Sequence, residues 1–362
     1  MSTETDDSGA LRSLVPPEQI DRLFSVCDAH GWKLLAAGAV VGALPPVLGL
    51  QQGYIMTVLS EMYLFAVLAL SWDIVGGQTG YPSFGNMAFF GIGAYTSGIL
   101  FKDFAVAFPV AFLVAGVVAT VFALFIGAIV LRLRGHYFAI ATLGVLLAAQ
   151  QVSRNLDITG GASGKILLNG PDGAVFYYLF LGLLVVEAAV VYYLSDTRFG
   201  FVLNAIRDDE GKATAMGFNT TYYKTAAWGI AALFTGFAGG AYSLFNTFIN
   251  PQTAYNGAWN VELIAMALLG GSGTVAGPII GAFGLHTIIE LVESHAVGWQ
   301  LVLLGLSVIV TVIAIPEGVV GSLREYASQM EYYKRGGMAA TDDTAEDGDQ
   351  PDDAPPAGGD SA

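Results

Sequence analysis

Long apolar runs, separated by short polar or glycine-rich breaks, occupy the chain between residues 33 and 316. A membrane-crossing helix needs about 20 apolar residues, and lengths of roughly 17 to 25 are tolerated. Runs close to this length cover residues 34–50, 54–75, 84–101, 104–131, 137–152, 175–194, 222–248 and 297–315. The pattern therefore predicts an all-α polytopic membrane protein with a transmembrane domain at 33–316.

A further apolar run, at residues 261–292, is interrupted by Gly270, Gly271, Ser272 and Gly273. We expect two short helices joined by a glycine-rich turn, which brings the total to about ten transmembrane helices. Broken backbone at membrane depth is tolerated only where it is packed in protein or lines a cavity. The three glycines are therefore predicted to lie on a translocation pathway, and Gly271→Val is expected to be more damaging than Gly281→Ala.

Composition supports a membrane protein: of 362 residues, 54% are hydrophobic and 12% charged, against about 25% charged in soluble domains. The net charge of −15 comes mostly from the two ends. Segment 1–32 is predicted to be an acidic cytoplasmic extension, and segment 317–362 a cytoplasmic tail that is disordered from about residue 340, since such acidic sequence buries little apolar surface. The acidic bias also suggests a halophilic source.

The distribution of basic residues predicts the orientation in the membrane. With about ten crossings, twelve Lys and Arg residues fall on one side and only Lys102, Arg154 and Lys165 on the other. By the positive-inside rule, both termini are expected in the cytoplasm of a cell-membrane protein. Residues 195–221 then form the notable internal loop.

This internal loop carries the clearest interaction signal outside the apolar runs. Asp208, Asp209 and Glu210 cluster where a helix starting at Asp208 has its positive dipole end. Ala213 and Met216, with Gly217 beside them, fall three or four residues apart and are expected on one helix face. A small apolar face on an exposed helix favours docking into a partner's groove, although a solvated connecting helix fits the same pattern.

Six blocks of sequence, in order, carry a family resemblance: "GGQTGYPSFGNMAFFGIGAYTSG", "RLRGHYFAIATLG", "ITGGASG", "RFGFVLNAIRDDEGKATAMGFN", "VELIAMALLGGSGTVAGPIIGA" and "PEGVVGSL". Together they resemble the LivM-type permease subunit of branched-chain amino-acid ABC importers. The resemblance implies the ABC importer permease fold and a coupling helix that meets the ATPase. The coupling residues it implies, together with the loop pattern, are Arg207, Asp208, Glu210, Ala213, Met216 and Gly217.

The resemblance also implies a function and a set of partners. The chain is expected to translocate branched-chain amino acids as a transport subunit without enzymatic activity. Its expected partners are a second homologous permease, two cytoplasmic ABC ATPases, an extracytoplasmic substrate-binding protein and the lipid bilayer, with no nucleic acid. Because His136 stands where the family usually has an acid, a permease for urea or short amides is an alternative. An ion-coupled secondary transporter, in which acids within the spans bind protons or sodium, is another.

Five acids lie in or at the ends of apolar spans that contain no Lys or Arg: Glu61, Asp73, Glu187, Glu262 and Glu290. A charge at a helix centre costs about 2.5–3.5 kcal/mol on insertion scales, so these side chains are expected to face the interior, water or a helix end. Glu262 is a pathway candidate because it precedes the glycine break, whereas Asp73 and Glu61 fit capping or snorkelling better. Ser83, Asn86 and Tyr95 are further pathway candidates.

No metal, cofactor or catalytic site is predicted. His286 and Glu290 share a helix face at a spacing that suits a metal, but a third ligand is not evident in the sequence, so interhelical hydrogen bonding is favoured. The segment from Thr159 to Ile166 imitates a phosphate-binding loop. It has Thr159 where the first glycine belongs and Ile166 where Ser or Thr must hold magnesium, so ATP hydrolysis is not expected of this chain.

Overall fold

A computed structural model describes residues 53–293, except 134 and 169, together with the isolated positions 38, 40, 42, 43, 302, 305, 306 and 318. All of them fall within the unit 30–321. The helices are α1 Tyr54–Thr79, α2 Asn86–Lys102, α3 Phe108–Val130, α4 His136–Asn155, α5 Gly173–Ser195, α6 Arg198–Ala215, α7 Thr220–Phe245, α8 Pro251–Ala254, α9 Gly257–Gly270 and α10 Ala276–Glu293. Two short strands are β1 Lys165–Ile166 and β2 Phe248–Ile249.

Helix α1 is the central element of the described bundle. Its 26 residues are apolar on every side, and a helix that is hydrophobic all round is a buried helix. From Met62 to Val75 all its residues are buried, in contact with α5, α7, α9 and α10. Helix α1 therefore connects the two ends of the bundle, and the polar residues near its ends reach different neighbours.

Helices α2, α3 and α7 pack through small residues. The buried stripe of α3 consists of small residues four apart, including Ala115 and Ala119, whereas its exposed positions include large apolar residues such as Val121 and Phe125. This inverts the arrangement of a soluble helix, because lipid solvates large apolar side chains while small ones let helices approach. A side chain at Gly93 in α2 would overlap the backbone of α7, so this glycine allows the two helices to approach closely.

The connections at one end of the bundle meet each other. Strand β1, between α4 and α5, pairs antiparallel with β2, which follows α7. Lys165 of β1 also forms an ion pair with Asp103, which follows the last residue of α2. The sequence assigned these three connections to one side of the membrane, and the structure brings them together.

Each predicted span within the described residues corresponds to helix, and the run at 261–292 is two helices, α9 and α10. Helices α1, α3, α5 and α7 are long and apolar enough to cross a membrane by length and composition alone, and Ala276–Val292 is a shorter apolar helix. Apart from the isolated positions, the predicted spans 34–50 and 297–315 and the acidic segments 1–32 and 317–362 lie outside the described residues.

Candidate functional site

Helix α6, in the predicted coupling loop, consists of two helical segments. Asp209 has extended backbone angles, φ −163° and ψ 105°, in the middle of the helix. Its carboxylate accepts a hydrogen bond from the backbone N–H of Lys212, at 3.0 Å, which is an N-cap interaction for the second segment. That bond is the main reason the pKa of Asp209 lies below its usual value. The helix predicted to start at Asp208 thus starts close to that position.

Glu210, next in sequence, turns into the bundle. Its Oε1 accepts hydrogen bonds from Lys224 Nζ at 2.7 Å and Thr220 Oγ1 at 2.9 Å, and its Oε2 accepts one from the Tyr81 hydroxyl. Lys224 Nζ also lies 4.2 Å from the centre of the Tyr81 ring. Burial by itself raises the pKa of Glu210, but the three hydrogen bonds outweigh it and the pKa lies below its usual value. An ionised Glu210 therefore links α6 to α7 and to the residues after α1.

A second link joins α1 to the turn between α9 and α10. Both carboxylate oxygens of buried Asp73 accept the backbone N–H of Gly273, at 2.8 and 3.0 Å. The sequence suggested capping or snorkelling for Asp73. Its partner Gly273 instead lies in the turn, after the end of α9 and before the start of α10. Arg207 of α6 lies at the same place, because a Cβ on Gly273 would overlap its Nη1. We call Asp73, Arg207 and Gly273 the α1–α6 junction.

The remaining predicted coupling residues do not share one face. Ala213 is completely buried, whereas Met216 is 59% exposed, and Asp208 is also exposed. Gly217 follows the helix with φ +90°, in the left-handed region that favours glycine. The predicted apolar docking face is therefore wrong in its geometry, because Ala213 is buried whereas Met216, at the end of the helix, is exposed. Met216 is the member of the set with an exposed large apolar side chain.

The glycine break is present, since α9 ends at Gly270 and α10 begins at Ala276. Its surroundings differ from the expectation in two ways. The Gly273 N–H is bonded to Asp73, so the turn does not offer this group to a substrate. A Cβ at Gly281 would overlap the carbonyl oxygen of Met266, because α9 and α10 are in close contact there. Gly281→Ala is thus not the mild change that the sequence suggested.

The other predicted pathway residues lie elsewhere. Ser83, Asn86 and Tyr95 are all buried. Ser83 Oγ accepts the Gly85 N–H at 3.2 Å, and the Tyr95 ring stacks on Tyr255 with centroids 6.0 Å apart. Within the described residues the Asn86 amide and the Tyr95 hydroxyl have no hydrogen-bond partner. The structure thus joins Arg207 to Gly273 but leaves these three residues apart from both the junction and Glu262.

Glu262 lies at the opposite end of α1, in a cavity of about 120 Å³. The lining residues are Glu61, Leu64, Phe65, Tyr242, Trp259, Glu262, His286, Ile289 and Glu290. Glu61 and Asp73 are twelve residues apart on α1, about 18 Å at the helical rise. The cavity and the α1–α6 junction are therefore separate places, although the sequence grouped Glu262 with the glycines.

The acids in the spans lie where insertion energetics predicts. Asp73, Glu187 and Glu262 are buried, and Glu61 and Glu290 line the cavity. Ser71 Oγ donates to Glu187 Oε1 at 2.5 Å, and the Tyr54 hydroxyl donates to Glu290 Oε1 at 2.7 Å. The expected interhelical hydrogen bond is therefore confirmed for Glu290.

For His286 the same expectation is wrong, because neither ring nitrogen has a hydrogen-bond partner in the described part of the chain. The sequence did not indicate that Glu61 lies next to His286 and Glu290. These three residues come together because α1 and α10 are adjacent in space. The spacing of residues along the chain does not predict which helices are adjacent.

Comparison with known proteins matches the sequence of the chain to a transport family. The family profile described as branched-chain amino acid transport system / permease component matches residues 54–313. The high-affinity branched-chain amino acid transport system permease proteins LivM of Salmonella typhimurium and Escherichia coli are each 29% identical over 293 residues, covering 72% of this chain and 68% of the relative. A probable branched-chain amino acid transport permease protein LivM of Methanocaldococcus jannaschii is 25% identical over 262 residues, covering 60% of this chain and 75% of the relative. No solved structure matches the chain significantly.

Proposed function

The chain belongs to the family of permease components of branched-chain amino acid transport systems, and from this premise we propose that it imports branched-chain, hydrophobic amino acids across the cell membrane. It is a multi-pass membrane protein and a transport component of an ABC system rather than an enzyme. The relatives whose names include branched-chain amino acid transport support the proposed substrate class. Family membership also favours ATP-driven transport over an ion-coupled carrier.

The proposed assembly follows the organisation of an ABC importer. This chain pairs with a second homologous permease, two ABC ATPases bind on the cytoplasmic side, and an extracytoplasmic binding protein delivers the substrate. Both termini are cytoplasmic, in line with the excess of basic residues on that side. The Thr79 end of α1, helix α6 and the turn after α9 then face the cytoplasm, whereas the Tyr54 end and the β1–β2 connections face outward.

The observation that carries the proposal is the double attachment of α6 to the membrane helices. Glu210 binds Lys224 and Thr220 of α7 as well as Tyr81, and Arg207 lies against Gly273 at the α1–α6 junction. A helix held in this way moves together with α1, α7 and the glycine break. Coupling between sites needs a contiguous element that both sites can bias, and α6 has this property.

The proposed mechanism uses no covalent step in this chain. Closure of the ATPases moves α6 as a docked lever, with Met216 as an apolar contact. Glu210 anchors the segment that follows the kink at Asp209, and Arg207 anchors the segment that precedes it. Through Glu210 and Arg207 the displacement reaches α7, α1 and the turn at Gly273. Alternation between outward and inward access then follows as a rigid-body rearrangement of packed helices.

Met216→Asp tests the coupling role. The permease variant, reconstituted with its partner permease and both ATPases in vesicles that contain ATP, is expected to import leucine at least about tenfold more slowly, because a charge replaces an apolar docking contact. Its thermal unfolding in detergent should match the wild type, since Met216 is exposed. Met216→Leu is the matched control and should keep uptake.

Ala213→Asp separates docking from folding. Because Ala213 is completely buried, this substitution is expected to lower the unfolding temperature as well as uptake. Wild-type uptake by Met216→Asp contradicts the docking role of Met216. Measuring urea and acetamide uptake in the same vesicles checks the alternative substrates, and saturable urea uptake without leucine uptake contradicts the amino-acid assignment.

A further inference from the structure

The cavity at the Tyr54 end of α1 has an unusual charge composition. Three carboxylates line it, those of Glu61, Glu262 and Glu290, and no Lys or Arg is among the described residues that line it. Helices α1, α9 and α10 contain no basic residue apart from His286. In α7, Lys224 is 18 residues from Tyr242, about 27 Å along the helix. Carboxylates in such surroundings are paired, hydrogen-bonded or coordinated to a cation.

His286 shows which kind of cation suits the cavity. The residue is only 5% exposed, it lines the cavity, and both of its ring nitrogens are without hydrogen-bond partners among the described residues. The Phe65 ring lies against the imidazole with centroids 5.0 Å apart, which restricts its orientation. A buried polar group that is left unsatisfied in a native structure calls for an explanation.

Two carboxylates lie beside this imidazole. Glu61 Oε2 is 3.9 Å from His286 Nε2, and one ligand atom each from Glu61, His286 and Glu290 lies within 4.8 Å of the other two. Glu290 follows His286 by four residues on α10, so the two side chains lie on one helix face. The Tyr54 hydroxyl donates to Glu290 Oε1 at 2.7 Å and orients that carboxylate, as second-shell groups do in metal sites.

We propose that Glu61, His286 and Glu290 bind a divalent transition-metal cation, with Zn²⁺ as the best match to one imidazole and two carboxylates. Zinc binds histidine nitrogen and carboxylate oxygen at about 2.0–2.2 Å. Tetrahedral ligands at that distance are roughly 3.4 Å apart, so the three ligand atoms move inward when the ion binds. Glu262 or water supplies the fourth position.

A metal ion fits this cavity better than the zwitterionic substrate of the proposed function. The ammonium group of an amino acid finds acceptors here, but its carboxylate also enters a cavity whose described lining has three acids and neither Lys nor Arg. A bare cation brings positive charge alone. The metal joins α1 to α10 at this end, and this site does not depend on what the permease transports.

Zinc binding by the purified full-length protein tests the proposal. After chelator treatment in detergent, titration calorimetry with ZnCl₂ is expected to show one saturable site per chain, and Zn²⁺ should raise the unfolding temperature. Loss of an outer-shell partner costs about 10–100-fold in metal affinity, so Glu61→Gln, His286→Gln and Glu290→Gln are each expected to cost at least about 100-fold. Asp172→Asn, which changes an exposed acid outside the cavity, is the matched control and should bind like the wild type.

Two further measurements separate loss of the site from loss of the fold. The unfolding temperature of each variant in chelator shows whether it is folded, and Co²⁺ titration of the wild type gives visible absorption that reports nitrogen and oxygen ligation. The proposal is overturned if the wild type shows no saturable Zn²⁺ binding, or if folded variants bind Zn²⁺ as the wild type does. Saturable leucine binding that depends on these residues, without Zn²⁺ binding, also overturns it and assigns the cavity to an ammonium group.

Discussion

Polar groups near the two ends of α1 differ in how they are hydrogen-bonded. At the Thr79 end, Asp73 binds the Gly273 N–H, and Glu210 binds Lys224, Thr220 and Tyr81. At the Tyr54 end, a cavity brings together three carboxylates and the imidazole of His286, whose two nitrogens have no hydrogen-bond partner among the described residues. The Thr79 end is a network of paired groups, and the Tyr54 end includes an unsatisfied imidazole that suits a ligand.

The difference has a physical cause in the connections at each end. Around the junction, α6 brings Arg207 and Glu210, and the first turn of α7 brings Lys224, so positive and negative groups are available together. Around the cavity, α1, α9 and α10 supply acids and a histidine but neither Lys nor Arg. Paired groups fix the relative positions of helices, whereas a buried imidazole that lacks a hydrogen bond calls for an explanation such as a ligand.

Removal of Glu210 is expected to have the largest effect on stability. Glu210→Ala leaves the ammonium of Lys224, whose side chain is 2% exposed, buried without its carboxylate. Breaking a buried ion pair costs about 3–5 kcal/mol, to be measured by thermal unfolding in detergent. Replacing the pair with apolar groups, as in Glu210→Leu with Lys224→Met, should recover much of this loss.

The neighbouring residue provides the control for that experiment. Asp209 lies 3.6 Å from exposed Lys212, and Asp209→Asn keeps an oxygen that can cap the second segment of α6. An exposed pair contributes about 0–1 kcal/mol, so this variant should remain close to the wild type. Equal losses from Glu210→Ala and Asp209→Asn contradict the view that the Thr79 end depends on its buried network.

Gly273→Val is expected to have the next largest effect, chiefly on transport. Gly273 has φ +82°, and a Cβ there would overlap Arg207 Nη1. The left-handed conformation costs a side-chain-bearing residue roughly 1–2 kcal/mol, and the displaced arginine loosens the α1–α6 junction. ATP-driven leucine uptake should fall at least about tenfold, whereas Gly284→Val, at an exposed position with open space around it, should transport normally. Similar uptake by both variants removes the junction from the coupling path.

The smallest effect is expected at the cavity end, from His286→Leu in chelator-treated protein. The imidazole makes no hydrogen bond among the described residues, so leucine removes no such bond and leaves an apolar neighbour for Phe65. The unfolding free energy should change by less than about 1 kcal/mol or increase, because replacement of unpaired polar groups by apolar ones is nearly neutral or stabilising. A loss of several kcal/mol in thermal unfolding shows instead that His286 is a structural partner and that the two ends are alike.

Several features could be predicted from single stretches of sequence. Every predicted span within the described residues is a helix in the structure. Apolar runs predict such helices because crossing a bilayer requires about 20 apolar residues with every backbone group bonded internally. The glycines at 270–273 predicted the break between α9 and α10, and the acids of α6 predicted a helix start near Asp208. The halophilic source and the disordered acidic tail stay predictions.

The tertiary structure determines which of these local features are in contact with one another. The sequence placed Ala213 beside Met216 on one exposed face, but the packing of the bundle buries Ala213 and leaves Met216 exposed. It grouped Glu262 with the glycines eight residues onward, but helical rise separates them by about 12 Å, and the two features have different neighbours. Hydrophobic periodicity records which residues avoid water or face lipid. It does not record which helices are neighbours. Asp73 contacts Gly273, and Glu61 lies beside His286, although the two residues of each pair are more than 190 positions apart in the sequence.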